Sequence, residues 1–140
     1  MATVTKPRKR SAAKAPLVMV VDDFAAARHM YGHFLTSSGY RVEEAQGGPE
    51  AIEKGLALRP DLILMDLAMP GMDGWEAIHR LKSHERTKHS LIVVVTGMAH
   101  AGGAKKAKAA GCDAYLLKPC LPETLLGVVR SLLGRRAGRK

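Results

Sequence analysis

Polar side chains end four apolar runs of the sequence. The runs finish at Asp22-Asp23, Asp66, Thr96 and Lys118, which together supply three carboxylates, a hydroxyl and an ammonium group. Carboxylates that are brought together repel one another unless a cation joins them, and hard oxygen ligands in a small open site favour Mg²⁺. A hydroxyl and a lysine beside them suit the oxygens of a phosphoryl group. These residue types predict Mg²⁺-dependent phosphoryl chemistry, with Asp66 as the candidate nucleophile.

The apolar runs are predicted β-strands. Three of them, Leu17–Asp23, Leu62–Asp66 and Leu91–Gly97, are apolar almost throughout, as is typical of strands buried on both faces of a sheet. Ala114–Lys118 is a fourth predicted strand. Tyr40–Ala45 alternates between apolar and polar residues, which indicates a strand with one exposed face at the edge of the sheet.

Segments with helical spacing separate the strands. They are predicted at Phe24–Ser38, from Gly47 to about Leu58, from Trp75 to about His84, at Ala99–Ala110 and at Pro122–Leu133. Asp23 is a candidate N-cap of the first helix and Gly39 its stop signal. Five strands that alternate with five helices predict an α/β fold with a parallel sheet and helices on both faces. The carboxyl ends of parallel strands lie along one edge, so we expect the polar residues there to converge.

The positive charge of the sequence is concentrated at its ends. The 140 residues carry a formal charge of +9, and their number suits about one domain. Residues 1–16 contain five bases and no acid, and residues 130–140 contain five more bases and no acid. The rest of the sequence contains twelve bases and thirteen acids. We therefore expect a disordered basic tail at residues 1–16, one domain at residues 17–133 and a basic tail at residues 134–140.

Cysteine usage and hydropathy predict a cytoplasmic protein. Cys112 and Cys120 have neither metal-binding spacing nor the number needed for a disulfide framework. No apolar run approaches the ~18 residues of a membrane span. The apolar segment Leu17–Val21 is too short for a signal peptide and is followed by two acids.

Four short motifs, taken together, point to a known family. They are VVDDF at Val20–Phe24, MDLAMPGMDG at Met65–Gly74, VTG at Val95–Gly97 and LKP at Leu117–Pro119. In this order and spacing the sequence resembles the receiver domain of two-component response regulators, from about Leu17 to Leu133. The resemblance implies a flavodoxin-like fold, a doubly wound five-stranded parallel sheet with strand order 2-1-3-4-5.

The resemblance also implies a phosphoacceptor and a metal site. Asp66 would accept a phosphoryl group from a sensor histidine kinase or a histidine phosphotransfer protein. Asp23 would bind Mg²⁺ directly and Asp22 through water. Asp66 and the backbone carbonyl of Ala68 would complete the protein ligands.

Four further positions match residues that respond to the phosphoryl group in this family. Lys118 would pair with the phosphoryl oxygens and with Asp66, and Thr96 would move to hydrogen-bond the new phosphate. Tyr115 matches the aromatic residue that turns inward when the threonine moves. Lys118-Pro119 matches the family's cis peptide, which is plausible because only an X-Pro bond makes the cis form inexpensive.

The predicted function is that of a phosphorylation-operated switch, and not of an enzyme with an external substrate. Phosphorylation would alter the face made by the fourth helix, the fifth strand and the last helix, and a downstream protein would bind there. The resemblance implies that Ala68 and Met98 occupy the two positions that flank the phosphate. Since neither side chain is acidic or can orient water, we expect slow self-dephosphorylation.

Two alternatives remain beside this interpretation. A haloacid-dehalogenase-like phosphatase also uses an aspartyl nucleophile with Mg²⁺, but its general acid lies two residues after the nucleophile, where this sequence has Ala68. Its nucleophile also follows the first strand, whereas Asp66 follows the third. The second alternative is a receiver-based regulator tethered to nucleic acid through its basic tails, which would contact phosphates and depend strongly on salt.

Overall fold

The computed structural model describes residues 15–97 and 102–138. Five strands and five helices alternate along these ranges, as the sequence pattern predicts. The strands are β1 (Leu17–Val21), β2 (Arg41–Ala45), β3 (Leu62–Met65), β4 (Leu91–Thr96) and β5 (Ala114–Leu117). The helices are α1 (Ala25–Ser37), α2 (Gly48–Leu58), α3 (Gly74–Ser83), α4 (Gly103–Ala109) and α5 (Pro122–Gly138).

The five strands form one parallel sheet with the order β2-β1-β3-β4-β5. The predicted α/β class and strand order are therefore confirmed. The three almost wholly apolar runs are the inner strands β1, β3 and β4, because helices cover both of their faces. The alternating run β2 lies at one edge of the sheet, as predicted, and β5 lies at the other.

Alternate residues of the inner strands enter two separate hydrophobic cores. One core joins Met19 and Ile63 to Ile78 and Leu81 of α3, and it also contains Ala51 of α2. The other core is built from the intervening strand residues together with α1 and α5; its members include Val18, Val20, Leu62, Leu64, Leu35, Leu125 and Val129. The period of two along each strand thus places α1 and α5 on one face of the sheet and α2 and α3 on the opposite face.

Two predicted helix ends were wrong. Asp23 does not cap α1, since the N-cap is Phe24 and has no side-chain cap; instead Asp22 Oδ1 accepts a hydrogen bond from the Phe24 backbone N–H at 2.9 Å. The last helix does not stop at Leu133 but continues to Gly138. Arg136, in its last turn, donates to the Asp61 carbonyl at 2.9 Å, and basic residues favour the negative end of a helix.

Some predictions fall outside the described residues. They concern Met98, the first part of the helix predicted at Ala99–Ala110, and the basic residues before Ala15 and after Gly138. Within the described ranges, no helix combines the length and apolar character that crossing a membrane requires.

The loop between β3 and α3 depends on a close approach of two backbones. Asp73 caps α3 by accepting a hydrogen bond from the Glu76 N–H at 2.9 Å. The next residue, Gly74, is buried, and a Cβ built on it would lie 2.6 Å from both the Asp66 carbonyl oxygen and the Leu67 Cα. Only glycine allows α3 to begin this close to the end of β3.

Replacing Gly74 with alanine is expected to lower the free energy of unfolding by about 1–3 kcal/mol, because backbone atoms must move to admit the methyl group. Denaturant unfolding measures the change. Gly127→Ala is the matched control, since a Cβ there meets nothing within 4 Å in α5. It should stabilise the protein by about 0.5–1 kcal/mol. Equal effects of the two substitutions would contradict the close-approach account.

Candidate functional site

Three carboxylates meet at the carboxyl edge of the sheet. Asp22 and Asp23 follow β1 and Asp66 follows β3, and the two strands are paired so that Val21 stands opposite Met65. One carboxylate oxygen from each acid lies within 4.8 Å of the others. Asp22 and Asp66 are buried, whereas Asp23 is exposed. The group has the proximity and the partial opening to solvent that a metal site requires.

Each buried carboxylate already has partners. Asp66 Oδ1 accepts a hydrogen bond from the Ala68 N–H at 3.2 Å, and Asp22 Oδ1 is held by the Phe24 N–H. Lys118, just after β5, donates from Nζ to Asp22 Oδ2 at 2.6 Å and lies 3.6 Å from Asp66 Oδ2. The ammonium group therefore bridges the two buried acids.

The pKa values of Asp66 and Lys118 are both raised. Burial raises the pKa of Asp66, and the charge of Asp22 adds to this, while the Ala68 N–H, Lys118 and a hydrogen bond with Thr96 oppose it. Burial alone would lower the pKa of Lys118, but its hydrogen bond to Asp22 and the charge of Asp66 raise it overall. Both shifts follow from negative charge concentrated in a partly desolvated space.

The donor set fits Mg²⁺. Three ionised carboxylates and the Lys118 ammonium leave a local charge of −2, which a divalent cation would neutralise. Carboxylate oxygens are the hard ligands that Mg²⁺ prefers, and Mg²⁺ binds through few protein ligands and keeps several waters. Asp22, Asp23 and Asp66 would hold the ion, and the open side at Asp23 leaves space for water or phosphate oxygens.

Arg28 supports this site, although no sequence motif predicted its role. Its side chain is buried in α1, where Nη1 donates to the Asp22 carbonyl at 2.8 Å and Nε donates to Glu44 Oε1 at 3.0 Å. The guanidinium thereby ties the loop after β1 to strand β2. Its spacing could have indicated that Arg28 is buried, because it lies three residues before Tyr31 and seven before Leu35 on the buried face of α1.

Thr96 and Tyr115 lie on the neighbouring strands. Thr96 ends β4 with no solvent exposure, and its hydroxyl hydrogen-bonds with the Asp66 carboxyl group. Tyr115 in β5 stands opposite Val94, and its half-buried ring packs against the core below α3. A Cβ on Gly103 would collide with the Tyr115 hydroxyl, so the tyrosine contacts the start of α4 directly. Gly103 is a further residue whose role no sequence motif predicted.

The other predicted site positions are also located. Lys118–Pro119 is a cis peptide bond that directly follows the site lysine. Ala68 is exposed, and the loop that carries it is anchored by the buried side chain of Met69. The structure thus brings together Asp22, Asp23, Asp66, Thr96 and Lys118, while Tyr115 lies on β5, which β4 separates from β3.

Comparison with known proteins identifies the family. The family model of the response regulator receiver domain matches residues 18–130. The chain belongs to the response regulator receiver domain family. Receiver domains are signalling modules of two-component systems, and they bind Mg²⁺ at an acidic pocket such as the one formed here by Asp22, Asp23 and Asp66.

Similar receiver proteins differ in how much of their length this chain spans. The transcriptional regulatory protein ResD of Bacillus subtilis is 36% identical over 118 residues, which cover 84% of this chain but 48% of ResD. The polar-differentiation response regulator DivK of Brucella anthropi is 32% identical over 117 residues, which cover 84% of this chain and 95% of DivK. Chemotaxis protein CheY4 of Vibrio cholerae superimposes with a TM-score of 0.79 at 34% identity, over 84% of this chain and 98% of CheY4.

Removing the charge of Asp66 is expected to stabilise the receiver domain when no metal is present. Asp66→Asn should raise the free energy of unfolding at pH 7, because burial and the charge of Asp22 disfavour the ionised carboxylate more than its partners favour it. The pKa of Asp66 is raised in the folded state, so the gain should be present at neutral pH and lost as acid protonates the wild-type carboxylate. Denaturant unfolding at several pH values measures it.

Magnesium should reverse this order of stability. At 100 times its dissociation constant, Mg²⁺ would stabilise the wild type by about 2.7 kcal/mol, and Asp66→Asn by much less. Asp73→Asn is the control, because Asp73 lies in the same loop outside the acidic group and asparagine also caps helices. Equal stabilisation of wild type and Asp66→Asn by Mg²⁺ would remove Asp66 from the metal site.

Proposed function

We propose that Asp66 accepts a phosphoryl group from the phosphohistidine of a histidine kinase or a histidine phosphotransfer protein. Mg²⁺ would be held by Asp22, Asp23, Asp66 and the backbone carbonyl of Ala68. The observation that carries this proposal is the position of Asp66, which is buried between two other acids and 3.6 Å from the Lys118 ammonium.

The transfer would exchange one bond to phosphorus for another. A carboxylate oxygen of Asp66 attacks the phosphorus atom, the P–N bond to the donor histidine breaks, and its electron pair returns to the imidazole nitrogen. Bound Mg²⁺ would neutralise charge on the phosphoryl oxygens. Lys118 would donate hydrogen bonds to the same oxygens from a position that it already holds between Asp22 and Asp66. No external substrate is turned over, which suits a signalling module.

The resulting acyl phosphate would be long-lived. Its hydrolysis requires a water molecule oriented for attack on phosphorus, and the exposed side chain of Ala68 has no group that could orient one. The phosphorylated state would then last long enough for a second protein in the cytoplasm to bind it. Loss of the signal would depend on a phosphatase or on back-transfer to a histidine.

The conformational response would pass from Thr96 to α4. Thr96 already hydrogen-bonds with Asp66, so a phosphoryl group on Asp66 would draw its hydroxyl toward the new oxygens. Tyr115 would turn into the space that Thr96 leaves. Because the Tyr115 hydroxyl packs against Gly103, this movement would shift the start of α4. The face formed by α4, β5 and α5 would change shape and bind the downstream protein.

Incubation with acetyl phosphate and Mg²⁺ should label the wild-type protein at a single aspartate. Asp66→Asn should abolish the label because it removes the nucleophilic oxygen, and Lys118→Ala should slow labelling strongly because it removes a charge on the phosphoryl oxygens. Intact-mass spectrometry detects the added phosphoryl group. Asp73→Asn is the control and should label normally. Unchanged labelling of Asp66→Asn would overturn the proposal.

The single tryptophan of the sequence should report the movement of α4. Lys106 of α4 lies with Nζ 4.8 Å from the centroid of the Trp75 ring of α3, so displacement of α4 changes the surroundings of the indole. Beryllofluoride with Mg²⁺ should therefore change Trp75 fluorescence in the wild type. Thr96→Val should lose most of this change, while Thr96→Ser should retain it because the hydroxyl remains. An equal response of both variants would exclude Thr96 from the pathway.

A further inference from the structure

The amino edge of the sheet, opposite the acidic group, is rich in basic side chains. The residues concerned lie in the connections that lead into the strands, at the start of β2 and in the last turn of α5. They are Arg41, Arg59, Arg86, Lys88, Arg135 and Arg136. The same segments contain three acids, Asp61, Glu85 and Asp113. His84 and His89 belong to the same connections. This edge therefore carries an excess of positive charge within the described residues.

The three acids at this edge have local structural roles. Asp61 Oδ2 accepts the backbone N–H of Leu17 at 2.8 Å, and Asp113 Oδ2 accepts that of Ile92 at 2.9 Å. These two acids therefore hold the starts of β1 and β4. Glu85 is paired with Lys88 at 3.1 Å on the exposed loop before β4. None of the three forms an ion pair with an arginine of this edge in the described part of the chain.

The bases come from different elements but lie together. Arg136 of α5 donates to the carbonyl of Asp61, in the connection after α2. Arg86 Nε donates to the Leu56 carbonyl at 2.9 Å, near the end of α2, and Lys82 Nζ donates to the Ser90 carbonyl at 2.7 Å, just before β4. Arg59 is exposed three residues after Leu56. The surface thus joins the ends of α2, α3 and α5.

Both basic segments of the sequence are attached at this same edge. Arg41 donates its backbone N–H to the Pro16 carbonyl at 3.0 Å and its Nε to the Ala15 carbonyl at 2.8 Å, which fixes where the chain enters β1. The fourteen residues before Ala15 contain five bases and no acid. At the other end, α5 reaches this edge, and two more bases follow Gly138. Seven further positive charges are therefore tethered to a surface that is already basic.

We propose that this amino edge is a nucleic-acid-binding surface that contacts phosphates without reading sequence. The inference goes beyond the phosphoacceptor function and does not depend on it. Arginine and lysine bound to phosphates position a protein on nucleic acid and carry no sequence information. The repeated negative charge of a duplex matches bases that are spread over several elements of this edge.

A lipid surface fits this edge less well. Peripheral membrane segments pair basic residues with a continuous apolar face that enters the bilayer. Among the exposed large apolar residues of the described ranges, Leu58 alone lies at this edge; Phe24 and Leu121 lie at the opposite one. Residues 1–14 contain no leucine, isoleucine, phenylalanine, tyrosine or tryptophan. Because the amino edge is polar and basic and has no apolar face among its described residues, it suits the hydrated phosphates of a nucleic acid better than a lipid bilayer.

The amino edge should be able to bind a duplex while the acidic group at the opposite edge is phosphorylated. Asp61 and Asp66 flank the two ends of β3 and lie five residues apart along the strand, which corresponds to about 17 Å. A duplex held at the amino edge would therefore leave the acidic group accessible to its phosphodonor. Nucleic acid would set where in the cell the receiver is located, while phosphorylation at the opposite edge would set what it binds.

Fluorescence anisotropy of the full chain with a short labelled duplex of mixed sequence tests the proposal. Binding should weaken steeply between about 50 and 200 mM salt, by about 10³-fold or more if six phosphates are contacted. A duplex of different sequence should bind with equal affinity. Anionic vesicles form a second arm, and binding to vesicles with no binding to duplex would overturn the proposal in favour of a membrane surface.

Charge-matched variants locate the site. Arg59→Gln combined with Lys88→Gln removes two exposed bases of the amino edge and should weaken duplex binding by at least about tenfold at 100 mM salt. Lys105→Gln is the control: it removes one exposed base from the first turn of α4, away from the amino edge, and should leave duplex binding unchanged, whereas Arg59→Gln alone should weaken it. Equal weakening by Lys105→Gln and Arg59→Gln, or salt-independent binding, would overturn the amino-edge site. Each variant should show the circular dichroism spectrum and the denaturant unfolding midpoint of the wild type, which shows that it is folded.

Discussion

Repulsion among three carboxylates is the constraint on which the site depends. Two of them are buried, and their oxygens lie within 4.8 Å of the third. Such an arrangement persists because surrounding contacts hold it in place: pairing of β1 with β3 positions the backbones, Arg28 holds the Asp22 carbonyl, and Lys118 bridges Asp22 and Asp66. The stored repulsion is what gives a divalent cation its affinity, since binding the ion relieves it. The repulsion therefore lowers the stability of the folded protein and makes the site responsive to added charge.

Acidic and basic side chains lie at opposite edges of the sheet. Acids concentrate where the strands end, and arginines and lysines concentrate where the strands begin. A parallel sheet makes this separation straightforward, because every crossover returns the chain to the opposite edge. An approaching protein or polyanion would meet fields of opposite sign at the two edges, and long-range steering would orient it before contact. The net charge of +9 hides this division, since most of the excess lies in segments attached to one edge.

Much of the fold and of the site could be predicted because the polar residues that end apolar runs mark the ends of the strands. Apolar runs that finish at Asp22, Asp66, Thr96 and Lys118 give the strands and their functional ends together, and parallel topology then brings those ends to one edge. What could not be predicted depends on contacts between distant elements. Gly103 matters only because the Tyr115 hydroxyl packs against it, and α5 continues past Leu133. Neither fact is encoded locally by periodicity or by stop signals.

The helix α4 is the element best suited to move. It has seven residues, no side-chain cap at Gly102, and only two buried residues, Gly103 and Ala107, whereas α3 buries four and is capped by Asp73. A helix that buries little surface loses little when it shifts, so a change at Tyr115 can displace it while the sheet stays in place. Its contacts include the Tyr115 hydroxyl against Gly103 and Lys106 over the Trp75 ring. Under the proposed function, a chemical change at the acidic site would therefore become a change of surface at α4.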